Sequence, residues 1–358
     1  MSYRIAVGPY HLALEEPYKI EVECEGETVL GASLKVGFNF RGIEWLAERK
    51  NITQCIALLE RVCGICSHTH SMTFCSAVER IGGIEIPARA QHVRVVIAEL
   101  ERIHSHLLWA GVAAELMGFQ TVFMQVFRLR ERVMDLLESS SGNRVNYSMN
   151  RVGGVNRDLD RQDEIRAGVR AIREGVAATV IPLFTTDRTV AARCRGVGTL
   201  SRADALAYGA VGPVARASGV NVDLRRDQPY LCYGQLGFEV PVREEGDVLA
   251  RAVVRALEIV ESCNLVEQAL DRMPPGPLHV GDVFFVPAGE AVLRVEAPRG
   301  EVFYYLESNG TDRLARVKVR TPSFANIPTA VPMVKGGSLA DVPLVQAAID
   351  PCYSCTDR

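Results

Sequence analysis

The sequence lacks the features that define membrane-spanning, secreted and nucleic-acid-binding proteins. No apolar stretch reaches the roughly 20 residues needed to cross a bilayer, and the best, residues 107–119, contains Glu115. Ten cysteines in 358 residues are too few for a disulfide-stabilised secreted domain, and residues 1–14 lack the pattern of a signal peptide. The net charge of −3, with scattered basic residues, excludes nucleic acid as the main partner. These absences predict a cytoplasmic chain that reaches a membrane only through other subunits.

The composition, 48% hydrophobic and 23% charged, supplies enough apolar surface for an extensive core and excludes disorder. We predict a single α+β domain over residues 1–358, predominantly helical, in which a long central helical bundle lies between two β regions. A small N-terminal β-sheet is expected in residues 1–50 and the helical core in residues 51–275. Residues 276–358 are expected to hold β-hairpins and a C-terminal metal-binding segment.

Periodicity supports this division of the chain. Alternating residues predict strands over 18–24 and 28–40, and a β-hairpin is predicted from residues 291–296 and 301–306, with Arg299 in its turn. Residues 188–233 look irregular. Helical spacing predicts helices within residues 52–137, with a break at Gly82-Gly83 and Pro87, and near residues 122–139, 161–184 and 244–273.

Two Cys-x-x-Cys pairs lie at opposite ends of the sequence, Cys63-Gly-Ile-Cys66 and Cys352-Tyr-Ser-Cys355. On a helix, residues three apart share a face, so each pair would offer two thiolates to one metal and the two pairs together four. On that assumption His70 falls on the same face as the first pair and His68 does not. His70 is therefore the better candidate for a side chain that supports the ligands.

The second pair follows Asp350-Pro351, which we predict to be a helix N-cap and the first helical residue. A helix N-terminus lowers thiol pKa values and would favour the thiolate of Cys352. The residues alone leave a structural zinc site, an iron–sulfur or other redox metal site, a redox dithiol and chance all open. With 285 residues between the pairs, a zinc ribbon is disfavoured. The other six cysteines show no paired spacing, and we expect them to be buried as small apolar residues.

Several motifs taken together resemble the large subunit of [NiFe] hydrogenases, and the short length resembles the energy-converting, membrane-bound branch of that family. That branch includes ferredoxin-linked and CO-linked hydrogenases and is related to the 49 kDa subunit of complex I. The resemblance runs in order along the whole chain. It rests on Gly8-Pro-Tyr-His11, Leu14-Glu-Glu-Pro17, Arg41-Gly-Ile-Glu44, Glu60-Arg-Val-Cys-Gly-Ile-Cys-Ser-His-Thr-His70, Glu99-Leu-Glu-Arg-Ile-His-Ser-His106, Ala297-Pro-Arg-Gly300, Arg320-Thr-Pro-Ser323 and Asp350-Pro-Cys-Tyr-Ser-Cys-Thr-Asp-Arg358.

The resemblance implies a Ni–Fe(CN)2CO centre. Nickel would be bound by all four cysteines of the two pairs, with Cys66 and Cys355 also bridging to iron. Arg299, Ser323 and the Pro322 region would contact the diatomic ligands of iron, which maturation proteins install. Without the resemblance, loop statistics favour Arg299 as a solvated turn residue.

The implied reaction is H2 ⇌ 2H⁺ + 2e⁻, run mainly toward H2 with electrons from ferredoxin. Cys352 is the preferred proton acceptor, ahead of Arg299. The family's gate glutamate corresponds to Glu15 or Glu16, of which we choose Glu16; without the resemblance either would be an exposed carboxylate.

In many relatives a final histidine binds magnesium, whereas Arg358 stands here, which makes a magnesium site doubtful. An ion pair of Arg358 with Glu44 would fill that space. A chain that ends at Arg358 implies either that a C-terminal extension is removed or that none is encoded.

The chain has no second cysteine cluster to carry electrons, so the resemblance implies several partners. These are a small subunit with a proximal [4Fe–4S] cluster, complex I-like hydrophilic subunits, integral membrane subunits that translocate protons or sodium ions, and ferredoxin. Such a chain would lie at the cytoplasmic side of the membrane, held by its partners.

Two alternatives remain: a metal-free quinone-site subunit like that of complex I, which has no need of the four thiols, and a structural zinc protein.

Overall fold

The computed structural model describes residues 1–11, 14 and 16–358 and confirms a predominantly helical α+β fold. Its N-terminal sheet contains β1 (Ser2–Val7), β2 (Lys19–Glu25) and β3 (Thr28–Lys35), antiparallel and in that order. The prediction found β2 and β3 but not β1, an edge strand whose residues are mostly exposed. Residues 1–50 also contain a short helix, α1 (Ile43–Ala47), which the prediction did not include.

The central bundle is built from four long helices, α4 (Ala88–Leu116), α5 (Gln120–Ser141), α6 (Gln162–Ala178) and α12 (Val248–Asp271). The break at Gly82-Gly83 lies where predicted, since α3 ends at Gly82 and α4 begins after Pro87. On α4 the apolar residues at helical spacing are fully buried against α5 and α12. The packed bundle forms the main core of the protein.

Of the remaining helices, three lie in segments predicted as helical, and short helices occupy both the segment predicted as irregular and the C-terminal region. In the latter the prediction was incomplete, because residues 322–357 are largely helical. These helices are α2 (Ile52–Glu60), α3 (Ser67–Gly82), α7 (Val180–Thr185), α8 (Arg188–Cys194), α9 (Arg202–Ala207), α10 (Gly212–Arg216), α11 (Leu224–Asp227), α13 (Pro322–Asn326), α14 (Ala330–Val334), α15 (Val342–Ile349) and α16 (Tyr353–Asp357). No helix in the described residues is both apolar and long enough to traverse a bilayer.

After α5 come two short antiparallel strands, β4 (Asn150–Arg151) and β5 (Gly154–Val155). The predicted hairpin is present and belongs to a three-stranded antiparallel sheet of β6 (Gly289–Ala297), β7 (Gly300–Ser308) and β8 (Leu314–Arg320). The prediction missed β8. Gly300 has a φ of 124°, and a Cβ there would lie 2.7 Å from the backbone nitrogen of Gly212. Only glycine allows this approach, which presses the β6–β7 turn against α10 and turns Arg299 into the protein.

Candidate metal centre

The first cysteine pair lies in the turn between α2 and α3. The expectation that this pair is helical was wrong, because α2 ends at Glu60 and Cys66 is the N-cap of α3. The Cys63 Sγ accepts a hydrogen bond of 3.2 Å from the backbone nitrogen of Ile65. The tight turn, rather than a helix face, therefore brings the two sulfurs together.

The second pair begins α16, but with a different cap from the one predicted. Asp350 is the C-cap of α15, with a φ of 58°, and the N-cap of α16 is Cys352 itself. The Cys352 Sγ accepts a hydrogen bond of 3.3 Å from the backbone nitrogen of Cys355. The sulfur thus takes the place of an N-cap oxygen. The expected thiolate is not favoured in the absence of a metal: although the hydrogen bond from Cys355 lowers the pKa of Cys352, contact with Cys63 and burial raise it well above its usual value.

The fold brings the two pairs into contact. The Sγ atoms of Cys63 and Cys352 are 3.5 Å apart, and so are those of Cys66 and Cys355. The ligand atoms of Cys63, Cys66 and Cys355 all lie within 4.8 Å of one another. All four cysteines are free thiols with at most 5% of their surface exposed. This is the arrangement of a metal site rather than of disulfides.

The charge of the cluster also indicates a cation. Hydrogen bonds from Cys352, Cys355 and Cys66 hold the pKa of Cys63 well below its usual value, whereas contacts with the other sulfurs raise the pKa of Cys355. One thiolate is therefore favoured, and further thiolates repel it in a medium of low polarity. A bound metal ion removes this limit by replacing the protons.

The donor set fits a soft metal ion. Four sulfurs about 2.3 Å from one metal lie about 3.8 Å apart in a tetrahedron. The two 3.5 Å separations across the pairs are close to that spacing, whereas Cys352 lies outside the group of three sulfurs that are all within 4.8 Å of one another. Thiolates favour nickel, iron, copper(I) or zinc over magnesium or calcium. The other six cysteines are buried singly, as expected, at positions 24, 55, 75, 194, 232 and 263.

His70 contacts the cluster and His68 does not. The Nε2 of His70 is 3.5 Å from the Cys355 Sγ, and its Nδ1 is 2.7 Å from the hydroxyl of Tyr304. Burial lowers the pKa of His70 to about 4, so the ring is neutral. A neutral ring that accepts from Tyr304 donates its Nε2–H toward the sulfur. Tyr304, in the middle of β7, had no signal in the sequence.

Arg299 is buried beside the cluster, with 6% of its surface exposed. Its Nη2 and Nε donate to the Oδ1 and the backbone oxygen of Asp350, at 2.6 and 2.8 Å. Although burial lowers the pKa of Arg299, Asp350 and the thiols Cys352 and Cys63 raise it well above its usual value. Arg299 is therefore a fixed positive charge next to the sulfurs, and the statistical expectation of a solvated residue was wrong.

Ser323 and Pro322 lie at the start of α13, next to the second pair. The Ser323 Oγ accepts a hydrogen bond of 2.9 Å from the backbone nitrogen of Cys352. Pro322 occupies the first turn of the helix and is buried. The neighbouring Thr321, which the sequence did not single out, donates to the backbone oxygen of Cys355 at 3.3 Å. These contacts fix the backbone on either side of the ligands.

Glu16 reaches the same segment from the N-terminal region. Its Oε2 accepts hydrogen bonds from the backbone nitrogens of Tyr353 and Ser354, at 2.5 and 2.8 Å. Burial, with a contribution from the nearby Cys63 charge, raises its pKa. Glu16 is thus a half-buried carboxyl beside the thiols. The alternative, Glu15, lies outside the described residues.

Arg41 and Glu101 position the cysteine segments, and neither role was predicted. The Nη2 of Arg41 donates to the backbone oxygens of Val62 and Ser354, at 2.8 and 2.7 Å, so one side chain joins the two pairs. Glu101 accepts 2.7 and 3.0 Å hydrogen bonds from the backbone nitrogens of His68 and Thr69, which caps α3. Arg41 belongs to the Arg-Gly-x-Glu motif, which is a sequence signal for its role. Glu101 lies in the middle of α4, where a glutamate is usually exposed, so no sequence signal pointed to it.

The C-terminus is held by ion pairs and backbone contacts. The Nε of Arg358 donates to the Glu44 Oε1 at 2.9 Å, which is the pair expected from the sequence, and Lys318 donates to the Glu44 Oε2 at 2.8 Å. The Asp357 carboxylate accepts from the backbone nitrogens of Gly37 and Asn39. The last helix is therefore fixed against α1, β8 and the N-terminal region.

Comparison with known proteins yields matches over the whole chain. A family profile described as nickel-dependent hydrogenase matches residues 41–110, and one described as the 49 kDa subunit of respiratory-chain NADH dehydrogenase matches residues 117–285 and 278–358. The chain is 44% identical to a carbon monoxide-induced hydrogenase of Rhodospirillum rubrum, covering 100% of this chain and 99% of that protein. It is 42% identical to the membrane-bound hydrogenase subunit alpha of Pyrococcus furiosus, covering 99% and 87%.

A solved structure of an archaeal respiratory membrane complex, the membrane-bound sulfane sulfur reductase, contains a chain that superimposes with a TM-score of 0.94 at 34% identity, covering 100% of this chain and 98% of that one. Subunits D of NADH–quinone oxidoreductases are also among the relatives. The protein therefore belongs to the family that unites the large subunits of membrane-bound [NiFe] hydrogenases with the 49 kDa subunit of complex I.

Proposed function

We propose that this protein is the catalytic large subunit of an energy-converting [NiFe] hydrogenase, which carries out H2 ⇌ 2H⁺ + 2e⁻. One observation carries the proposal: two cysteine pairs from opposite ends of the chain converge as four buried free thiols with sulfurs 3.5 Å apart across the pairs. A quinone site has no use for such a set of soft ligands.

Cys63, Cys66, Cys352 and Cys355 would hold a nickel–iron group, which supplies the site where H2 is formed or split. Arg299 would keep a fixed positive charge beside that group and donate hydrogen bonds to its diatomic ligands, together with Ser323 and the Pro322 backbone. His70 would hold Cys355 in place through its ring N–H. Each of these roles rests on a contact to a cysteine segment or on burial beside one.

Cys352 is the proposed proton acceptor: although the hydrogen bond from Cys355 lowers the pKa of its thiol, contact with Cys63 and burial raise that pKa well above its usual value, and its backbone nitrogen is held by Ser323. Glu16 is the proposed next acceptor. Its carboxyl accepts a hydrogen bond from the backbone nitrogen of Tyr353, the residue that follows Cys352, and burial raises its pKa.

Electrons that enter or leave the metal group must be carried by a partner subunit. Among the described residues, only Cys63, Cys66 and Cys355 form a group that meets the spacing for a metal ion. We therefore propose a small subunit with a proximal [4Fe–4S] cluster, complex I-like hydrophilic subunits and ion-translocating membrane subunits, with ferredoxin as the electron donor and maturation proteins that install the metal group. The chain would lie peripherally at the cytoplasmic side of the membrane. The names of the relatives, which include a membrane-bound hydrogenase, support a membrane complex.

The second candidate is a metal-free subunit like the 49 kDa subunit of complex I, whose profile matches the longer part of the chain. Metal analysis of the purified native complex with infrared spectroscopy separates the two. Nickel and iron together with CO and CN⁻ stretching bands are expected. A complex that contains neither metal and binds a quinone analogue contradicts the hydrogenase proposal, as does zinc alone.

The Glu16→Gln variant tests the proton route. It removes the titrating group but keeps an oxygen for the backbone nitrogens of Tyr353 and Ser354, so we expect intact metal content and a fall in H2 turnover of about 100-fold. Glu27→Gln, in the exposed turn between β2 and β3, is the control and should retain full turnover. Unchanged turnover in metal-loaded Glu16→Gln would remove Glu16 from the route.

A further inference from the structure

Tyr304 lies on β7, the central strand of its sheet, and its side chain is fully buried. It pairs across the sheet with Leu293 of β6 and Val319 of β8, which are also buried. The next residue, Tyr305, is directed to the opposite face, as alternation along a strand requires, and its hydroxyl donates to Glu290 at 2.9 Å in an exposed position. The sheet therefore holds the Tyr304 ring in a fixed place.

The Tyr304 hydroxyl determines which ring nitrogen of His70 carries the proton. Its hydrogen-bond partner among the described residues is the His70 Nδ1, 2.7 Å away. A buried hydroxyl needs an acceptor for its proton, so Tyr304 donates and Nδ1 accepts. In the neutral ring the proton is then on Nε2, the nitrogen that lies 3.5 Å from the Cys355 Sγ. His70 is thereby a donor to the sulfur.

The opposite tautomer is disfavoured at both ends of the ring. With the proton on Nδ1, the Tyr304 hydroxyl would be buried without an acceptor, and the Nε2 lone pair would face an electron-rich sulfur. The position of His70 is also fixed, because its backbone nitrogen donates to the Cys66 oxygen at 3.1 Å. Its ring meets that of Tyr304 edge to face, at 63° with centroids 6.0 Å apart.

We propose that Tyr304 is a positioning residue of the metal centre, whose hydroxyl selects the His70 tautomer that donates to Cys355 and so lowers the electron density on that sulfur. A group one contact away from a metal ligand tunes the site through such tautomer and orientation effects. Tyr304 itself contacts neither the ligands nor the reacting atoms. The tautomer depends only on these side-chain contacts, whereas its effect on a nickel–iron group rests on the function proposed above.

Three variants isolate the hydroxyl. Tyr304→Phe removes it and keeps the ring in the core. Tyr305→Phe is the matched control, because it makes the same change at the next residue, where the hydroxyl binds Glu290 at the surface. His70→Leu removes both ring nitrogens, so in that background Tyr304→Phe should have no further effect on the sulfur.

The first test is nitrogen-15 solid-state NMR of the native complex with ring-labelled histidine, which requires neither activity nor a particular metal. The His70 resonances are those missing in His70→Leu. We expect a protonated Nε2 and a bare Nδ1 in the native complex and in Tyr305→Phe, and a mixture of tautomers in Tyr304→Phe. A native His70 with its proton on Nδ1 overturns the proposal, as does an unchanged tautomer in Tyr304→Phe.

The second test is infrared spectroscopy with a redox titration of the same complexes. Without the N–H donor the sulfur passes more electron density to the metals, so in Tyr304→Phe we expect the CO band at lower wavenumber with full nickel content. The reduction equilibrium should shift about tenfold toward the oxidised state, which is about 59 mV for one electron. Tyr305→Phe should match the native complex in both measurements.

The double variant shows whether Tyr304 acts through His70. The CO band of metal-loaded His70→Leu should not move further when Tyr304→Phe is added, and a further shift overturns the proposed route. An unmoved CO band in metal-loaded Tyr304→Phe also overturns the effect on the metal group. A complex without nickel and iron would instead contradict the hydrogenase function, and the NMR test would still decide the tautomer.

Discussion

The protein buries polar groups in two regions that differ in how their charge is balanced. One is the sulfur cluster. The other, which we call the ion-pair network, lies between α4, α10, α12 and β6 and is nearly inaccessible to solvent. Its members are Glu99, Arg102, His106, Arg216, Asp223, Arg225, Glu258 and Glu296.

In the ion-pair network three arginines face four carboxylates. Arg216 donates to Glu296 at 2.7 Å and to Glu258 at 2.8 Å, and Arg225 donates to Asp223 at 2.7 Å. Among the residues that the structure describes, the buried cation next to the sulfur cluster is Arg299, which is already paired with Asp350. The ion-pair network therefore supplies its own counterions, whereas the sulfur cluster can hold several thiolates only when a metal supplies the positive charge. The two buried polar regions of the fold are therefore distinguished by their charge balance.

The largest expected effect is the loss of metal when one ligand is removed. Cys355→Ala deletes the sulfur that contacts both Cys66 and His70, so we expect nickel content to fall at least 100-fold. The matched control is Cys263→Ala, at a buried cysteine of α12 whose pKa is raised to about 12 by burial. The control should lose stability but keep its metal. Full nickel content in Cys355→Ala, measured by metal analysis, would show that the cluster is not the metal site.

Substitutions in the ion-pair network should have the opposite effect: they should lower the unfolding free energy and leave the metal content unchanged. Arg216→Met leaves Glu258 and Glu296 buried without a cation, which costs about 3–5 kcal/mol of unfolding free energy. Arg161→Met, which breaks an exposed pair with Glu164, should cost less than about 1 kcal/mol. Chemical denaturation of the purified complex measures both. Equal midpoints for the two variants would mean that the ion-pair network is no stronger than a surface pair.

The sulfur cluster could be predicted from the sequence and the ion-pair network could not, for a physical reason. Cysteines at Cys-x-x-Cys spacing are rare and need a metal or redox explanation, so the pattern is visible in a single chain. The charged residues of the ion-pair network are scattered over almost 200 positions, and each reads as a surface residue. Their burial results from how α4 and α12 pack, which no local pattern encodes.

Within the centre, the local geometry was harder to predict than the participants. The residue types at Asp350-Pro351 suggest an N-cap, but tertiary contacts overrode that preference because the Asp350 carboxylate pairs with Arg299. Tyr304 and Glu101 contact the cysteine segments from β7 and α4, elements joined to them only by the fold. The long helices and the hairpin, by contrast, follow directly from periodicity.

Acid should weaken the ion-pair network progressively. Burial alone would raise the pKa of Glu258, but the Arg216 guanidinium holds it at about 2. A carboxyl with a depressed pKa stabilises the fold above its unfolded value of about 4.5, and that contribution disappears as the pH falls toward 2. The loss is about 3 kcal/mol at 1.36 kcal/mol per pKa unit.

Denaturation midpoints measured from pH 6 to pH 3 test this expectation. In Glu258→Gln the dependence on pH should be shallower, because one titrating carboxyl is gone. His106 adds a smaller loss in the same direction, since burial lowers its pKa and acid must charge it. A midpoint that rises on acidification would contradict the assignment of Glu258 as a charged, paired carboxylate.

The smallest effect is expected where charges are paired at the surface. Glu44 is 18% exposed, and despite its partial burial the hydrogen bonds from Lys318, Val319 and Arg358 lower its pKa. Solvent screens this group, so Glu44→Gln should cost less than about 1 kcal/mol in the denaturation midpoint. The Asp357 contacts to the backbone of Gly37 and Asn39 remain in that variant, so α16 should stay in place and nickel content should not change. A loss of nickel in Glu44→Gln would mean that this pair, and not the backbone contacts, holds the second cysteine pair against the first.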